Sequence, residues 1–576
     1  MSKKVEKLLA KMTLEQKVGQ MFVFGFSGTY PHPDIIEMIE KYNVAGFRVV
    51  PWSNIFLRRL KPGHPGIPRV TRDPQGKERV YCLASELAPF VSPEQYAKVI
   101  NKLRKRSIET GAGIPVYICS DNEGGLSFDF TSFDFSGFPA PMGLAASGDP
   151  SICYKVGRQI GIENKMLGID CIQSPTVDVK TNPNNFEIGA RSYSPKADDV
   201  AKYAYQSMRG LIAGGSIPVA KHFPGRGNST QDTHFDCPTV TEPLDRMNDI
   251  HLAPYRYLID KGLPMIMLAH SIYPALDPSN EISTVSKPIV TGVLREQLGF
   301  KGVIITDSFT MGGLVKKYDV PEGVLRCIEA GVDLVLLKDE NALRGEAYNA
   351  VLSAVKAGRI KEERVNESVT RTLEMKERFG LLDGKKGMVD PAKIHAILKS
   401  PQRAKLEKEA SAKGVVVLRS EKEVMPIKKG KKVLVVEEVS WLQRRLNNSI
   451  AHSGALYERL VDNGVEAIFI KFDPENVEKA LEVMKARASE VDIIIYSCTY
   501  TRGHVTKGLG FSDVAALGKP VVVVTDSPFP YAVSPEMKNV VGTFAQCNAT
   551  MYAAADIISG KAKPVAKLAF DINREY

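Results

Sequence analysis

From residue 19 to about residue 340, short apolar runs alternate with amphipathic stretches, and this rhythm constrains the fold more than any other feature. The runs are 19–26, 44–50, 114–120, 169–179, 217–221, 265–270, 303–307 and 332–337. Between several of them, at 93–110, 197–214 and 321–330, apolar residues recur at helical spacing. Strands separated by helices pair in parallel, and eight such units predict a (β/α)8 TIM-like barrel, which closes its sheet and leaves no edge. Charge gathers at the ends of the runs. Asp121 follows the third, Asp178 belongs to the end of the fourth, Lys221 and His222 mark the end of the fifth, His270 ends the sixth and Asp307 the seventh. In a barrel all of these face one rim, the rim on which active sites are built. Six such side chains converging there predict an enzyme.

The rest of the chain repeats the rhythm on a smaller scale. Helical stretches at 345–357 and 362–379 lead to a Gly/Lys/Pro-marked exit and a charged connecting helix at 391–412. Runs at 414–418, 432–436, 467–472, 491–498 and 520–526, with a helix at 476–488, then predict a smaller α/β sandwich domain. The division reads as a barrel over 1–385, a helical linker over 386–412 and the sandwich over 413–576. No glycine-rich phosphate loop opens a helix of that second domain. His452 and the segment 500–504 read as surface loop. The stretch 60–92 breaks the barrel rhythm with Pro, Gly and charges. It follows the second run, so it is expected to rise from the rim as a cover over the pocket.

Composition excludes several classes. Hydrophobic residues at 44% and charged residues at 25% are those of a globular protein. The net charge of +10 is dispersed, with no basic stripe interleaved with aromatics, which argues against nucleic acid. The eight cysteines are scattered without a C-x-x-C pair and read as buried thiols. No apolar stretch reaches membrane-spanning length, and the first 21 residues read as a charged surface helix rather than a signal peptide. A cytoplasmic protein is expected.

The densest chemistry lies in Lys221 to Pro238, KHFPGRGNSTQDTHFDCP. Lys221, His222, Arg226, Asp232 and His234 fall within fourteen residues of an irregular segment. A lone D-x-H more often marks a capped turn. Behind Lys-His and a Gly-rich bend, the pair reads instead as an acid/base dyad. The Asp232 carboxylate takes one imidazole nitrogen of His234 and leaves the other free to move a proton. His222, Asp232 and His234 are ligand types a metal could use, but Lys221 and Arg226 crowd them with positive charge, so no metal and no cofactor are expected.

These motifs resemble glycoside hydrolase family 3, and within it the β-N-acetylglucosaminidase branch. The resemblance rests on Lys221-His-Phe-Pro-Gly-Arg-Gly227 with Asp232-Thr-His234, on MTLEQKVGQM near the start and on Asp121-Asn-Glu-Gly-Gly125. Ser174-Pro-Thr-Val-Asp178, Ile188-Gly-Ala-Arg-Ser192, MLAHSIYPALD and LREQLGFKGVIITDSFTMGGL complete it, and the segments from Asp526 and from Ala553 resemble the family's C-terminal domain. The resemblance implies a retaining mechanism through a covalent glycosyl-enzyme. Asp307 would be the nucleophile, His234 the acid/base and Asp232 its partner, with Asp121, Arg191, Lys221 and His222 on the sugar hydroxyls. Three departures stand out. Arg226 replaces a histidine, Leu126 and Asp129 stand where arginines are usual, and Ala190 stands where an aspartate is common. A guanidinium at 226 is expected either to recognise an anion, such as a lactyl carboxylate or phosphate, or to pair with Asp236 or another loop acid.

The leading expectation is an exo-β-N-acetylglucosaminidase acting on muropeptide- or chitin-derived fragments. A second is a phosphorylase that uses phosphate in place of water, since a histidine acid/base repels a phosphate dianion less than a carboxylate does. A third, from another class, is a non-catalytic sugar-binding protein derived from the enzyme.

Overall fold

The computed structural model describes residues 1–51, 53–55, 70–72, 78–80, 85–87, 91–130, 133–233, 236–338, 340, 342–439, 450–473, 476–500, 509–574 and 576. The chain forms two compact units. The first comprises residues 1–122, 157–179 and 207–397; the second comprises 123–156, 180–206 and 398–576.

The first unit holds the eight expected strands. They are β1 (Phe22–Ser27), β2 (Gly46–Val50), β3 (Tyr117–Ser120), β4 (Cys171–Ile172), β5 (Ile217–Phe223), β6 (Met265–Leu268), β7 (Val303–Thr306) and β8 (Val335–Leu337). All are parallel, in the order β7-β6-β5-β4-β3-β2-β1-β8. A bridge between Ile305 and Leu334 joins the two ends and closes the barrel. One face of the strands supplies a buried cluster that includes Val23, Tyr117, Cys119, Cys171, Val219, Met267 and Ile305. Buried charges are paired in the same unit. Arg295, Arg364 and Arg371 gather on Asp333, and Arg104 with Lys165 on Asp170. Lys376, also buried, donates to Gln20 Oε1 at 3.0 Å and to the carbonyls of Ala45 and Pro115, each at 2.9 Å.

Three expectations about local structure are corrected. The fourth run is a ladder of only two residues, not eleven, because Ser174-Pro175 interrupts it and proline has no N–H to donate. The chain instead crosses towards β5, with Val177 N donating to the Lys221 carbonyl at 2.6 Å, and this irregular path delivers Asp178. The N-terminal stretch is two helices, Lys3–Lys11 and Leu14–Gly19, because Thr13 and Gln16 form a reciprocal capping box that starts a second helix. The connecting helix is broken into Pro391–Lys393, Ile394–Leu398 and Pro401–Gly414, with prolines opening the first and last pieces.

The second unit carries β9 (Val416–Arg419), β10 (Lys432–Glu438), β11 (Glu466–Phe472), β12 (Ile493–Cys498), β13 (Val521–Thr525) and β14 (Asn539–Gly542). Their order is β9-β14-β13-β12-β10-β11, with only β9 antiparallel to its neighbour. Two apolar clusters, one with Val433, Val435, Ile493 and Ile495, the other with Leu434, Val436, Ile494 and Tyr496, follow the strand alternation. They make the sandwich of helices on both faces. The sequence reading missed β14, whose four residues NVVG are too short to stand out as a run. Within 60–92, the described residues include three short strands: 70–72 pairs with 78–80, and 85–87 pairs with 53–55 just before the stretch, both antiparallel. The remainder of the expected cover lies outside the described residues.

Candidate active site

The fifth strand organises the site. Lys221 pairs with Met267 and Phe223 with Leu268, so His222 is the extra residue of a β-bulge. The bulge sends consecutive side chains to different carboxylates. Lys221 Nζ donates to Asp121 Oδ1 at 3.0 Å, while His222 Nδ1 lies 2.7 Å from Asp178 Oδ2. Asp178 is fully buried, and its other oxygen accepts from the backbone N–H of Arg226 at 2.8 Å.

Asp121 follows β3, and Arg48, from the middle of β2, reaches its second oxygen at 2.5 Å. Gln173 Oε1 steadies the same guanidinium at 3.1 Å. Burial alone would raise the Asp121 carboxyl. The charges of Arg48, Lys221 and Lys338 outweigh it and hold this group well below the usual carboxylate range. The carboxylate side chain keeps 26% exposure, whereas Arg48 and Lys221 keep only 3% and 4%, so it is the acid that meets the solvent. Asp121→Asn would leave two nearly buried cations facing a neutral amide. We expect it to cost about 2 kcal/mol of stability, discounted for that exposure. Urea unfolding checks this, and an unchanged midpoint would show the cluster to be energetically neutral.

Asp307 follows β7 and is half-buried, with Oδ1 accepting from Ser308 N at 2.7 Å. The next carbonyl is held by His270, whose Nε2 lies 3.1 Å from Ser308 O and whose Nδ1 lies 2.7 Å from Thr284 Oγ1. A carbonyl only accepts, so Nε2–H donates to Ser308 O, while burial lowers the His270 pKa. His270 is thus a strut behind Asp307 rather than a group aimed at the pocket.

The segment after Asp307 also fixes the dyad loop. Gly313 N donates to Thr233 O at 3.2 Å, and a Cβ on Gly313 would stand 2.8 Å from Asp236 O and 3.3 Å from Thr233 O. Only glycine allows that approach. Asp232 is buried and its carbonyl accepts from Asp236 N at 3.1 Å; His234 lies outside the described residues. Gly225, at φ +113, packs against His251, which lies 3.5 Å from Glu242. Glu242 also accepts from Asn228 and Arg246, and His251, followed by Arg246, pushes its carboxyl down to about 2 despite burial. The Gly-rich bend is therefore anchored at both ends.

Arg226 is 1% exposed. It donates to Thr233 Oγ1 and approaches His222 Nε2 at 3.1 Å. Asp236 instead pairs with Lys316 at 3.2 Å, so the expected Arg226–Asp236 pair is not formed. The structure thus brings Lys221, His222, Arg226, Asp121, Asp232 and Asp307 into one unit. Arg191 belongs to the second unit, where Nε and Nη2 grip Glu123 at 2.8 and 2.9 Å. The sequence reading left Arg48, Gln173, Thr233 and Glu123 unassigned. Of these, Arg48 had a signal: a lone charge within the apolar run GFRVV. Among the described residues, no group of three His, Cys, Asp or Glu side chains is placed to hold a metal ion, and no helix is long and apolar enough to cross a membrane.

Residues 13–375 match the family model described as the glycosyl hydrolase family 3 N terminal domain. The chain belongs to glycosyl hydrolase family 3. It is accordingly a glycoside hydrolase. Beta-hexosaminidase A of Pseudoalteromonas piscicida is 29% identical over 361 residues, 59% of this chain and 59% of that protein. The chain thus spans less than two thirds of that relative. A beta-N-acetylglucosaminidase/beta-glucosidase of Cellulomonas fimi is 27% identical over 486 residues, covering 79% of this chain and 83% of its own. Among solved structures, a glycoside hydrolase family 3 beta-N-acetylglucosaminidase from Paenibacillus sp. str. FPU-7 superposes with a TM-score of 0.82 at 27% identity, over 98% of this chain and 99% of that one. Its fold spans both units.

Proposed function

We propose that this glycoside hydrolase is a retaining exo-β-N-acetylglucosaminidase that removes terminal N-acetylglucosamine from muropeptide- or chitin-derived fragments. The observation that carries the reading is the tie between nucleophile and acid/base loops. A half-buried carboxylate ends β7, and the residues just after it hold the backbone of the Asp232–Thr233 segment through Gly313. The names of the Pseudoalteromonas, Cellulomonas and Paenibacillus relatives support the hexosamine.

In the first step Asp307 attacks the anomeric carbon as His234 gives its proton to the departing glycosidic oxygen, leaving a glycosyl ester on Asp307. In the second, neutral His234 takes a proton from water, the water oxygen bonds to the anomeric carbon and the ester bond breaks, which regenerates the carboxylate. Asp121, held ionised between Arg48 and Lys221, is an acceptor for sugar hydroxyls, and Lys221 joins it in the proposed sugar-binding set; His222, expected there, has both ring nitrogens engaged by Asp178 and Arg226. The burial of Arg226 gives no support to a phosphate acceptor. The reading is tested by following an aryl β-N-acetylglucosaminide by proton NMR, with and without phosphate. Free N-acetylglucosamine should appear first as the β-anomer. An α-anomer, a sugar 1-phosphate or no turnover would each overturn the reading.

A further inference from the structure

Arg226 is a permanent charge with 1% exposure, and burying such a charge is costly unless its neighbours hold it. Its contacts show where the charge goes. The backbone N–H grips Asp178 Oδ1 at 2.8 Å, one guanidinium nitrogen donates to Thr233 Oγ1, and another lies 3.1 Å from His222 Nε2. Asp178 closes the circuit, because its Oδ2 lies 2.7 Å from His222 Nδ1. The tautomer of His222 follows. A carboxylate only accepts, so Nδ1 carries a proton; a guanidinium only donates, so Nε2 carries none. Asp178, His222, Arg226 and Thr233 thus form one chain of hydrogen bonds, running from the end of the fourth run, through the β5 bulge, to the residue between Asp232 and His234.

We propose that Arg226 is a positioning residue: it fixes His222 as the neutral Nδ1–H tautomer and clamps Thr233, so that the Asp232–His234 segment is held in register for proton transfer. The clamp uses two properties that a lysine or histidine does not combine. The guanidinium presents several donors in a rigid plane, and it stays charged at every working pH. With Gly313 N on the Thr233 carbonyl and Arg226 on the Thr233 hydroxyl, the segment is held by backbone and side chain together. The inference deepens the functional reading above and rests on it.

The test pairs Arg226→Met with Thr233→Val, which removes only the hydroxyl, and with Thr233→Ser, which restores it. On an aryl glycoside with a poor leaving group, Arg226→Met and Thr233→Val should each lower kcat about tenfold, a fraction of what a general acid contributes. KM should change little, a dinitrophenyl glycoside should be nearly unaffected, and Thr233→Ser should recover the rate. The losses should not add in the double variant, since both cut one bond. Additive losses, equal losses on both leaving groups, or failure of Thr233→Ser to recover would overturn the clamp. Selective 15N-histidine spectra supply a readout independent of catalysis. His222 should appear as the neutral Nδ1–H form in the wild type and lose that fixed tautomer in Arg226→Met. Identical His222 signals would equally overturn it. His234→Ala serves as the control: if it shows no leaving-group dependence, the acid assignment has failed, and the spectra alone then judge the clamp.

Discussion

Asp307→Ala should abolish turnover of every glycoside the enzyme accepts, a loss on the order of 10⁴-fold or more, as removal of a covalent nucleophile typically costs. The carboxylate stands at the end of β7, half-buried, with one oxygen tied to Ser308 N. That tie orients the group. His270 holds the next carbonyl from behind, so the loop does not depend on substrate for its shape. Two measurements check the assignment. A slow 2-fluoro or 5-fluoro substrate should leave its label on Asp307 alone. Azide added to Asp307→Ala should restore turnover and give the α-glycosyl azide, because the small anion enters from the face the carboxylate vacated. A label on another carboxylate, or a β-azide, would refute the role.

The barrel was legible because its strands are buried on both faces and so appear as nearly continuous apolar runs, bounded by helices with clear periodicity. All eight runs became strands, and the charges at their ends fell on the C-terminal ends of the ladder. Boundaries were less legible where the chain turns from pairing to delivery. The fourth run looked long because Val177 and Val179 prolong its apolar pattern, yet past Ser174-Pro175 the pairing thins to a single bridge between Thr176 and Lys221, and this path delivers Asp178. The second domain was read one strand short for the opposite reason, since NVVG is too brief to register.

The individual site residues were legible where a motif gathers them and illegible where the partner comes from elsewhere. Lys221 and His222 announce themselves, but their partners lie 100 and 44 positions away, at Asp121 and Asp178. No local pattern shows that Arg48 would turn Asp121 into the middle of a charge triad. Arg226 was the sharpest case. As a sequence feature it looked like an anion receptor, because an arginine in a loop is normally solvated. Its contacts change the reading, since the guanidinium donates to Thr233 Oγ1 and lies 3.1 Å from His222 Nε2. The expected pairing with Asp236 is not formed: that side chain is half exposed and pairs with Lys316, whereas Arg226 is buried.

His234 should give the second large effect, and a different pattern of loss from Asp307. Protonation of the departing oxygen matters only when that oxygen is a poor leaving group. His234→Ala should therefore lose about 10²- to 10⁴-fold on alkyl or phenyl glycosides, the usual worth of a general acid, and far less on a dinitrophenyl glycoside. With the good leaving group the first step survives, and slow removal of the glycosyl ester should appear as a burst of nitrophenolate. Asp232 is the proposed partner of the same group. An anion beside the imidazole favours its protonated form and so raises its pKa, which keeps an acid available towards neutral pH. Asp232→Ala removes that support. The alkaline limb of the pH profile, measured on a poor leaving group, should then move to lower pH, because the acid is lost as pH rises through the lowered pKa. The acidic limb should stay where it is. Equal losses of His234→Ala on good and poor leaving groups would remove the histidine from the acid role, and an unmoved alkaline limb in Asp232→Ala would separate the aspartate from it.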